Sequence, residues 1–452
     1  MSILQGRGKV ALGASFMAAG GKLAAATFIS SLHSLVFFTS IRGYLPEVAA
    51  AYGTSVTAMS AATMLATGGM ILVVQRLSRA QGHSERQRSL ESVCATVTLS
   101  LGALALALAV VGFVVTALDS TGLTGLAYWC RVPTMLLAPI QSLISGLLVV
   151  GKREGMQLRT TIENFIITCT VAALLPLAGL GPHSILIVIG LFGATIDSFT
   201  LFRQWRRLGP DKSILFAGMR NGVKQLKYRL GFHVRQIPSL AAGAADGLVM
   251  MSSFAIITML ATHAGATTGA ATAALISAVR SLIIPMKQFG VAGGRMAKGS
   301  PDLASTDKRI RFFATCIALV LVPMGLVLIA APQVFVTIFG SVLSHQDTEL
   351  AIRLVGVQLL IEPVAGFGSA ILKIVIAPKA SLLALAVVMF CGVVPCIITL
   401  AFTTHLTLGH IWSVMLTGRI AFAGSVLFVY ERWRRKAREF TKGRDAAWAR
   451  PH

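Results

Sequence analysis

The chain has 452 residues, a mean hydropathy of +0.76, 55% apolar residues and only 13% charged ones. A soluble domain carries roughly 25% charged residues, so this composition excludes a string of ordinary soluble domains. The formal charge of +23 would suggest nucleic acid if the chain were soluble. Here the basic residues stand in short connections beside apolar runs, where the cytoplasmic bias of Lys and Arg accounts for them. No nucleic acid is expected as a partner, and the anionic headgroups of a lipid bilayer are the natural counter-charge.

Twelve apolar stretches follow in chain order, at 23–45, 55–78, 92–118, 125–150, 161–181, 184–204, 232–260, 267–292, 310–340, 350–377, 381–403 and 409–430. Each reaches the ~20 residues that a membrane-spanning helix needs. The first follows a short basic arm, Arg7 and Lys9, lacks a cleavage-site pattern and reads as a retained helix. Of the 40 Lys and Arg, about 32 lie at the two ends and in alternate connections: 79–91, 151–160, 205–231, 293–309 and around Lys379. The other connections, near residues 46–54, 119–124, 182, 263, 345 and 405, are nearly free of them. Basic loops stay on the cytoplasmic side, which predicts a multi-pass protein of a bacterial inner (plasma) membrane with both ends in the cytoplasm.

Segment 205–231 is the longest polar stretch between spans. It reads as a basic amphipathic linker on the inner membrane surface and divides the chain into a lobe at 1–204, the linker, a second lobe at 232–431 and a basic tail at 432–452. The halves echo each other. VVQRLSRAQG (73–82) is matched by VAGGRMAKGS (291–300), and SGLLVVGKREG (145–155) by SAILKIVIAPKAS (369–381). Both offsets are roughly 220 residues, and six spans separate the matched ends, so the repeat is parallel, about an axis along the membrane normal. The expected fold class is all-α integral membrane, with twelve transmembrane helices in two six-helix lobes related by pseudo-twofold symmetry.

The six Cys (94, 130, 169, 316, 391, 396) lie in apolar stretches without a CxxC pair. They read as small buried hydrophobes, not disulfides or metal ligands. No metal site and no cofactor is expected.

Several stretches together resemble the multidrug and toxic compound extrusion (MATE) family, within the superfamily that includes lipid and oligosaccharide flippases. AALISAVRSLIIPMKQFGVAGGRMAKGS (273–300) is similar to the family's eighth helix, with Arg280, Ser281, Pro285 and Gly290 in order. GFGSAILKIVIAPKAS (366–381) resembles the end of the tenth helix, with Lys373-Ile374 in place of Arg-Gly. LTLGHIWSVMLTGRIAF (406–422) resembles the twelfth-helix entry, with Gly409 before Trp412. SGLLVVGKREGMQLRTTIENF (145–165) resembles the corresponding first-half turn and the fifth helix bearing Asn164. The resemblance implies a monomeric secondary transporter that rocks between inward- and outward-open states. It would export a small amphipathic organic substrate in exchange for H+ or Na+.

An ionisable residue at membrane depth is costly and marks function by default. Glu362 is the first candidate for cation coupling. It sits inside the tenth span beside Pro363, whose missing N–H frees a carbonyl, and the resemblance places an acidic group eleven positions before Lys373. The competing reading is a structural ion pair with Arg280 or Lys287. Asp246, among small residues of the seventh span, is the second candidate. The first span departs from the family pattern: Phe37, Phe38 and Thr39 stand where relatives carry an Asp. His33, about one turn earlier, is the titratable group there, and a coupling site is expected in the C-terminal half. Arg131, Asn164, Asp197, Arg280, Lys287 and Lys373 are the candidate lining of the substrate cavity. Basic groups facing that cavity favour a zwitterionic or anionic cargo; basic groups turned to the interface favour a cationic one.

Three alternatives remain. One is a lipid-linked oligosaccharide flippase of the same superfamily. Another is a major-facilitator exporter, whose second-to-third loop motif is not matched by RLSRAQGHSERQR (76–88). The third is an intramembrane enzyme, for which no paired catalytic carboxylates, HExxH or Walker loop is present.

Overall fold

The computed structural model describes residues 2–41, 70–78, 83–118, 122–209, 211–235, 266–300, 302–334, 347–376 and 381–448, with isolated positions between them. Every regular element among them is helical. In chain order they are α1 (Ser2–Ile41), α2 (His83–Leu118), α3 (Leu123–Trp129), α4 (Val132–Val150), α5 (Glu154–Leu174), α6 (Pro182–Arg207), α7 (Asp211–Val234), α8 (Ala266–Lys298), α9 (Leu303–Ala330), α10 (Thr348–Val375), α11 (Leu382–Val387), α12 (Val394–Thr403) and α13 (Leu408–Trp448). A π-helical stretch, Val388–Val393, joins α11 to α12 just before Pro395.

Nine helices among the described residues are long and apolar enough to cross a membrane. They match the predicted first, third to sixth and ninth to twelfth spans. The eighth predicted span is α8. The second and seventh fall largely outside the described residues. Large apolar side chains such as Phe113, Ile166, Leu177, Leu319, Phe402 and Phe428 are exposed on these helices, as expected where lipid replaces water as the solvent.

The helices are longer than the apolar runs. α5 starts at Glu154, α9 at Leu303 and α2 at His83, each seven to nine residues before the predicted span, and α13 continues to Trp448. Hydropathy marks the part of a helix that lies in lipid, whereas backbone hydrogen bonding carries the helix on through the polar interface. The connection at 151–160 therefore shrinks to a tight turn at 151–153, in which Lys152 has φ 57. Arg153 reaches from this turn to the carbonyls of Arg207 (3.2 Å) and Leu208 (2.8 Å). A cation there satisfies the orphan acceptors at the end of α6 and complements its dipole.

The chain divides into two compact units: Ala25–Met251, and Met1–Ala24 together with Ser252–His452. The first 24 residues thus go with the C-terminal half, and Phe16 is the reason. It is fully buried, stacked on Phe313 with ring centroids 4.3 Å apart, and edge-on to Phe289 and Phe367. The α1 helix starts some twenty residues before the predicted first span because the Gly- and Ala-rich stretch before it is apolar enough to be buried in this way.

In the C-terminal unit α10 is the central helix, packed against α8, α9 and α13. Small residues allow the close approach. A Cβ on Gly290 would lie 2.5 Å from the Ala370 Cβ, and one on Gly325 2.7 Å from the Gly356 carbonyl oxygen. In the N-terminal unit the predicted surface linker is the helix α7, laid along α2. Leu215 is fully buried, and Asn221 donates to Glu91 at 2.9 Å, an oxygen that also accepts from Gln87 at 3.1 Å.

Candidate functional site

Two apolar clusters of the N-terminal unit lie at opposite ends of its helices. One includes Leu77, Leu90, Leu143, Leu147, Leu208 and Leu215 and lies at the end with the basic connections. The other includes Leu123, Ala172, Leu175, Ile185 and Ile189, at the end with the nearly charge-free connections. Between them the helices turn polar side chains inward. On α5 these are Thr160, Asn164 and Thr168, four residues apart and all buried. On α6 they are Asp197, Thr200 and Gln204, again on one face by helical spacing.

Asn164 bridges the two stripes by donating its Nδ2 to the Thr200 hydroxyl, which itself donates to the Ile196 carbonyl at 2.7 Å. The Asn164 Oδ1, the Gln204 Oε1 and the Thr134 hydroxyl are buried without a hydrogen-bond partner in the structure. Buried polar atoms are almost always paired, so three unsatisfied oxygens on neighbouring helices mark a place built for something polar.

Arg131 completes the layer. The fourth predicted span is broken at Cys130–Arg131, where α3 ends and α4 begins with Pro133 in its first turn. The break places the buried guanidinium over the Tyr52 ring, 4.5 Å from its centroid, and within electrostatic reach of Asp197. Gly190 allows α6 to cross at this point, since a Cβ there would lie 2.4 Å from the Cys130 Cβ. His33 stacks on Phe165, the residue after Asn164, with centroids 5.5 Å apart, and its Nε2 has no hydrogen-bond partner. The structure thus brings into one layer three residues that the sequence named separately, Arg131, Asn164 and Asp197, whereas His33 packs on the neighbouring Phe165. Sequence reasoning missed Thr134, Thr200 and Gln204. The signal was available in the repeat of small polar residues at helical spacing within otherwise apolar spans.

Glu163 points elsewhere. It pairs with Arg159 (3.0 Å) and with Arg203.

In the C-terminal unit Glu362 is fully buried near the middle of α10. Both of its oxygens accept hydrogen bonds from Arg419 on α13, from Nε and one Nη, at 2.6 Å each. Its partner is therefore Arg419, not the Arg280 or Lys287 named from sequence. The side chain of Arg280 lies outside the described residues, as does all of Asp246. Lys287 is half-buried on α8. Lys373 is buried in the last turn of α10, where the helix dipole favours a cation. It stands eleven residues beyond Glu362, about 16 Å along the axis at ~1.5 Å per residue, so the two do not form one site. Among the described residues no group of three His, Cys, Asp or Glu is placed to hold a metal ion.

No protein-family model and no curated protein matches the sequence. Solved structures do. A eukaryotic MATE transporter, AtDTX14, superposes with a TM-score of 0.76 at 14% identity, over 96% of this chain and 98% of its own. A MOP superfamily transporter from Pyrococcus furiosus, described as having a binding pocket of reverse polarity that suggests a different function, matches with a TM-score of 0.70 at 14% identity, over 93% and 95%. A MATE family transporter in an outward-facing conformation matches with a TM-score of 0.65 at 15% identity, over 92% and 95%. The chain has the fold of these transporters, twelve membrane helices in two lobes.

Proposed function

We propose that the chain is a secondary active transporter that exports small amphipathic organic compounds in exchange for H+ or Na+. The observation that carries this reading is the polar layer of the N-terminal unit. It holds a carboxylate, an arginine and unsatisfied oxygens at the middle of apolar helices, in a fold that resembles known transporters. Ionisable groups at membrane depth line pathways or relay protons. Asp197 supplies the charge that a cation would neutralise. Asn164, Thr200, Gln204 and Thr134 supply neutral oxygens, the ligand type that Na+ or a hydronium-bearing water takes. A single charge moving down ~100 mV releases ~2.3 kcal/mol, enough for about a 50-fold gradient of a neutral cargo.

Arg131 favours a second reading of the cargo. A guanidinium buried in this layer suits a carboxylate or phosphate, so a zwitterionic or anionic solute, such as a lipid-linked sugar, competes with an organic cation. The pocket of reverse polarity described for the Pyrococcus neighbour supports weighing this alternative.

The test is flux in liposomes. Purified protein is reconstituted and loaded in turn with a fluorescent organic cation, a zwitterion and an anionic amphiphile, and a proton or sodium gradient is imposed. Gradient-driven movement of one cargo, abolished by an uncoupler or by sodium equilibration, is expected. Absence of gradient-dependent flux for all three cargoes with both ions would overturn the reading.

A further inference from the structure

Glu362 holds the position at which the sequence suggests an exchangeable cation, yet that position is already filled. The carboxylate is fully buried, Arg419 is 6% exposed, and the two meet through parallel hydrogen bonds of 2.6 Å. Bidentate pairing of this kind fixes both partners in one plane. The surroundings are shaped to hold it. One turn beyond Glu362 stands Gly366, where a Cβ would lie 2.2 Å from the Glu362 Oε2 and 3.6 Å from an Arg419 Nη. The glycine is thus the notch that receives the carboxylate. On α13, Gly418 makes room for the Val393 side chain of the π-helical stretch, 2.2 Å from its would-be Cβ, which sets the depth of the neighbouring Arg419. The Arg419 guanidinium also stands over the Phe422 ring, 5.3 Å from its centroid.

The remaining neighbours of α10 can be read from register. Gly290 and Gly294 of α8 oppose Ala370 and Ile374, so the level of Glu362 falls near Arg280 and Ile283. On α9 that level is occupied by apolar residues around Leu321 and Pro323. Among the described side chains, the charged group that meets Glu362 at this depth is Arg419 on α13.

We propose that Arg419 is the built-in cation of the C-terminal unit. It occupies the place at Glu362 that a proton or Na+ would otherwise take, and so closes this carboxylate to ion exchange. It is a specificity-determining residue, which restricts coupling to the other lobe and clasps α10 to α13. Removal of the guanidinium opens a monovalent-cation site. Its ligands are the Glu362 carboxylate and the Leu359 carbonyl, which Pro363 leaves without its helical donor. The consequence for coupling rests on the transport reading above, whereas the chemistry of the site is measurable without transport.

The experiment is equilibrium dialysis of the purified full-length protein with radioactive sodium. Wild type and Glu362→Gln are expected to bind equally. Arg419→Ala is expected to gain about tenfold in affinity for a Glu362-dependent ion, and Arg419→Ala combined with Glu362→Gln loses that gain. If Glu362→Gln already lowers binding in the wild-type background, or Arg419→Ala gains nothing, the proposal is overturned. Should the Arg419 variant not fold, a wild-type measurement decides. A hydrophobic carbodiimide modifies carboxyls that are free to exchange, and mass spectrometry of the Glu362 peptide is expected to show this one unmodified, held by the Arg419 guanidinium. Modification that rises with acidity would show that Glu362 takes up protons, and would refute the resident-cation role. Loss of flux in the liposome test with these results intact would count against the transporter reading alone.

Discussion

The two units handle buried charge in opposite ways. In the C-terminal unit both oxygens of Glu362 accept hydrogen bonds from one arginine of a neighbouring helix. In the N-terminal unit Asp197 has an arginine within reach but shares its layer with Asn164, Gln204 and Thr134 oxygens that lack partners. A saturated pair resists exchange, because any competitor must displace a group already held by two hydrogen bonds and by packing. An unsaturated layer invites a ligand, because water or a cation there satisfies atoms that otherwise bear a desolvation cost of ~1–3 kcal/mol each. One fold thus contains a closed site and an open one, and the difference lies in a few side chains.

The largest effect that would break this contrast is loss of transport. Asp197→Asn keeps the shape and removes the charge. Coupling between sites is worth ~1–3 kcal/mol, or about 5- to 150-fold, and the variant is expected to lose gradient-driven flux near the upper end of that range while its thermal stability stays within ~1 kcal/mol of wild type. Undiminished coupled flux in liposomes would move the open site away from Asp197.

On the separate scale of stability, the largest effect falls on the closed pair. Arg419→Met leaves Glu362 buried and alone, a change that costs ~3–5 kcal/mol when one partner of a buried pair is removed. Glu362→Gln together with Arg419→Met removes both charges, and is expected to recover most of the loss, since buried pairs are often replaced by neutral groups at little net cost. Thermal unfolding in detergent reads both. Additive losses in the double variant would mean that the two side chains do not act as a pair. A smaller effect, ~1–3 kcal/mol from overpacking, is expected for Gly366→Ala, because the added methyl meets the Glu362 carboxylate. If Gly366→Ala is harmless alone, the notch does not hold the carboxylate. Smaller again is Thr200→Val, which deprives Asn164 of its acceptor at about 1 kcal/mol and makes the open layer still less satisfied.

Several residues of both sites stood out in the sequence, but not the way they assemble. Composition and the alternation of basic loops were enough for the helical membrane fold, because lipid allows few architectures. Arg131, Asn164 and Asp197 stood out as polar groups in apolar runs. Their assembly into one layer depends on how α4, α5 and α6 pack, which local sequence does not encode. Glu362 was recognised, but its partner lies 57 positions away on a helix whose register against α10 is set by contacts such as Val426 against Gly368. The helix ends were misjudged for a simpler reason. Charged residues lower hydropathy without ending a helix, so His83–Glu91 and Glu154–Thr160 read as loops although their backbones are helical.

The smallest predicted effect lies outside the membrane and away from both sites, and it sets the baseline for the others. Asp302 caps α9: its Oδ1 accepts from the Ser305 N–H at 2.5 Å, and the backbone and side chain of Ser305 hold its carboxyl below the ordinary range. A carboxylate with a folded value below the unfolded ~3.9 contributes stability that is fully present above the unfolded value and lost as pH falls through the folded one. Acidification of the wild type should therefore fray the first turn of α9, with faster amide exchange at Thr306 and its neighbours. Asp302→Ala should show that fraying at neutral pH and lose its acid dependence, with flux unchanged. An effect of Asp302→Ala on coupled transport equal to that of Asp197→Asn would mean that flux reports helix integrity in general, and the contrast between the open layer and the closed pair would lose its functional meaning.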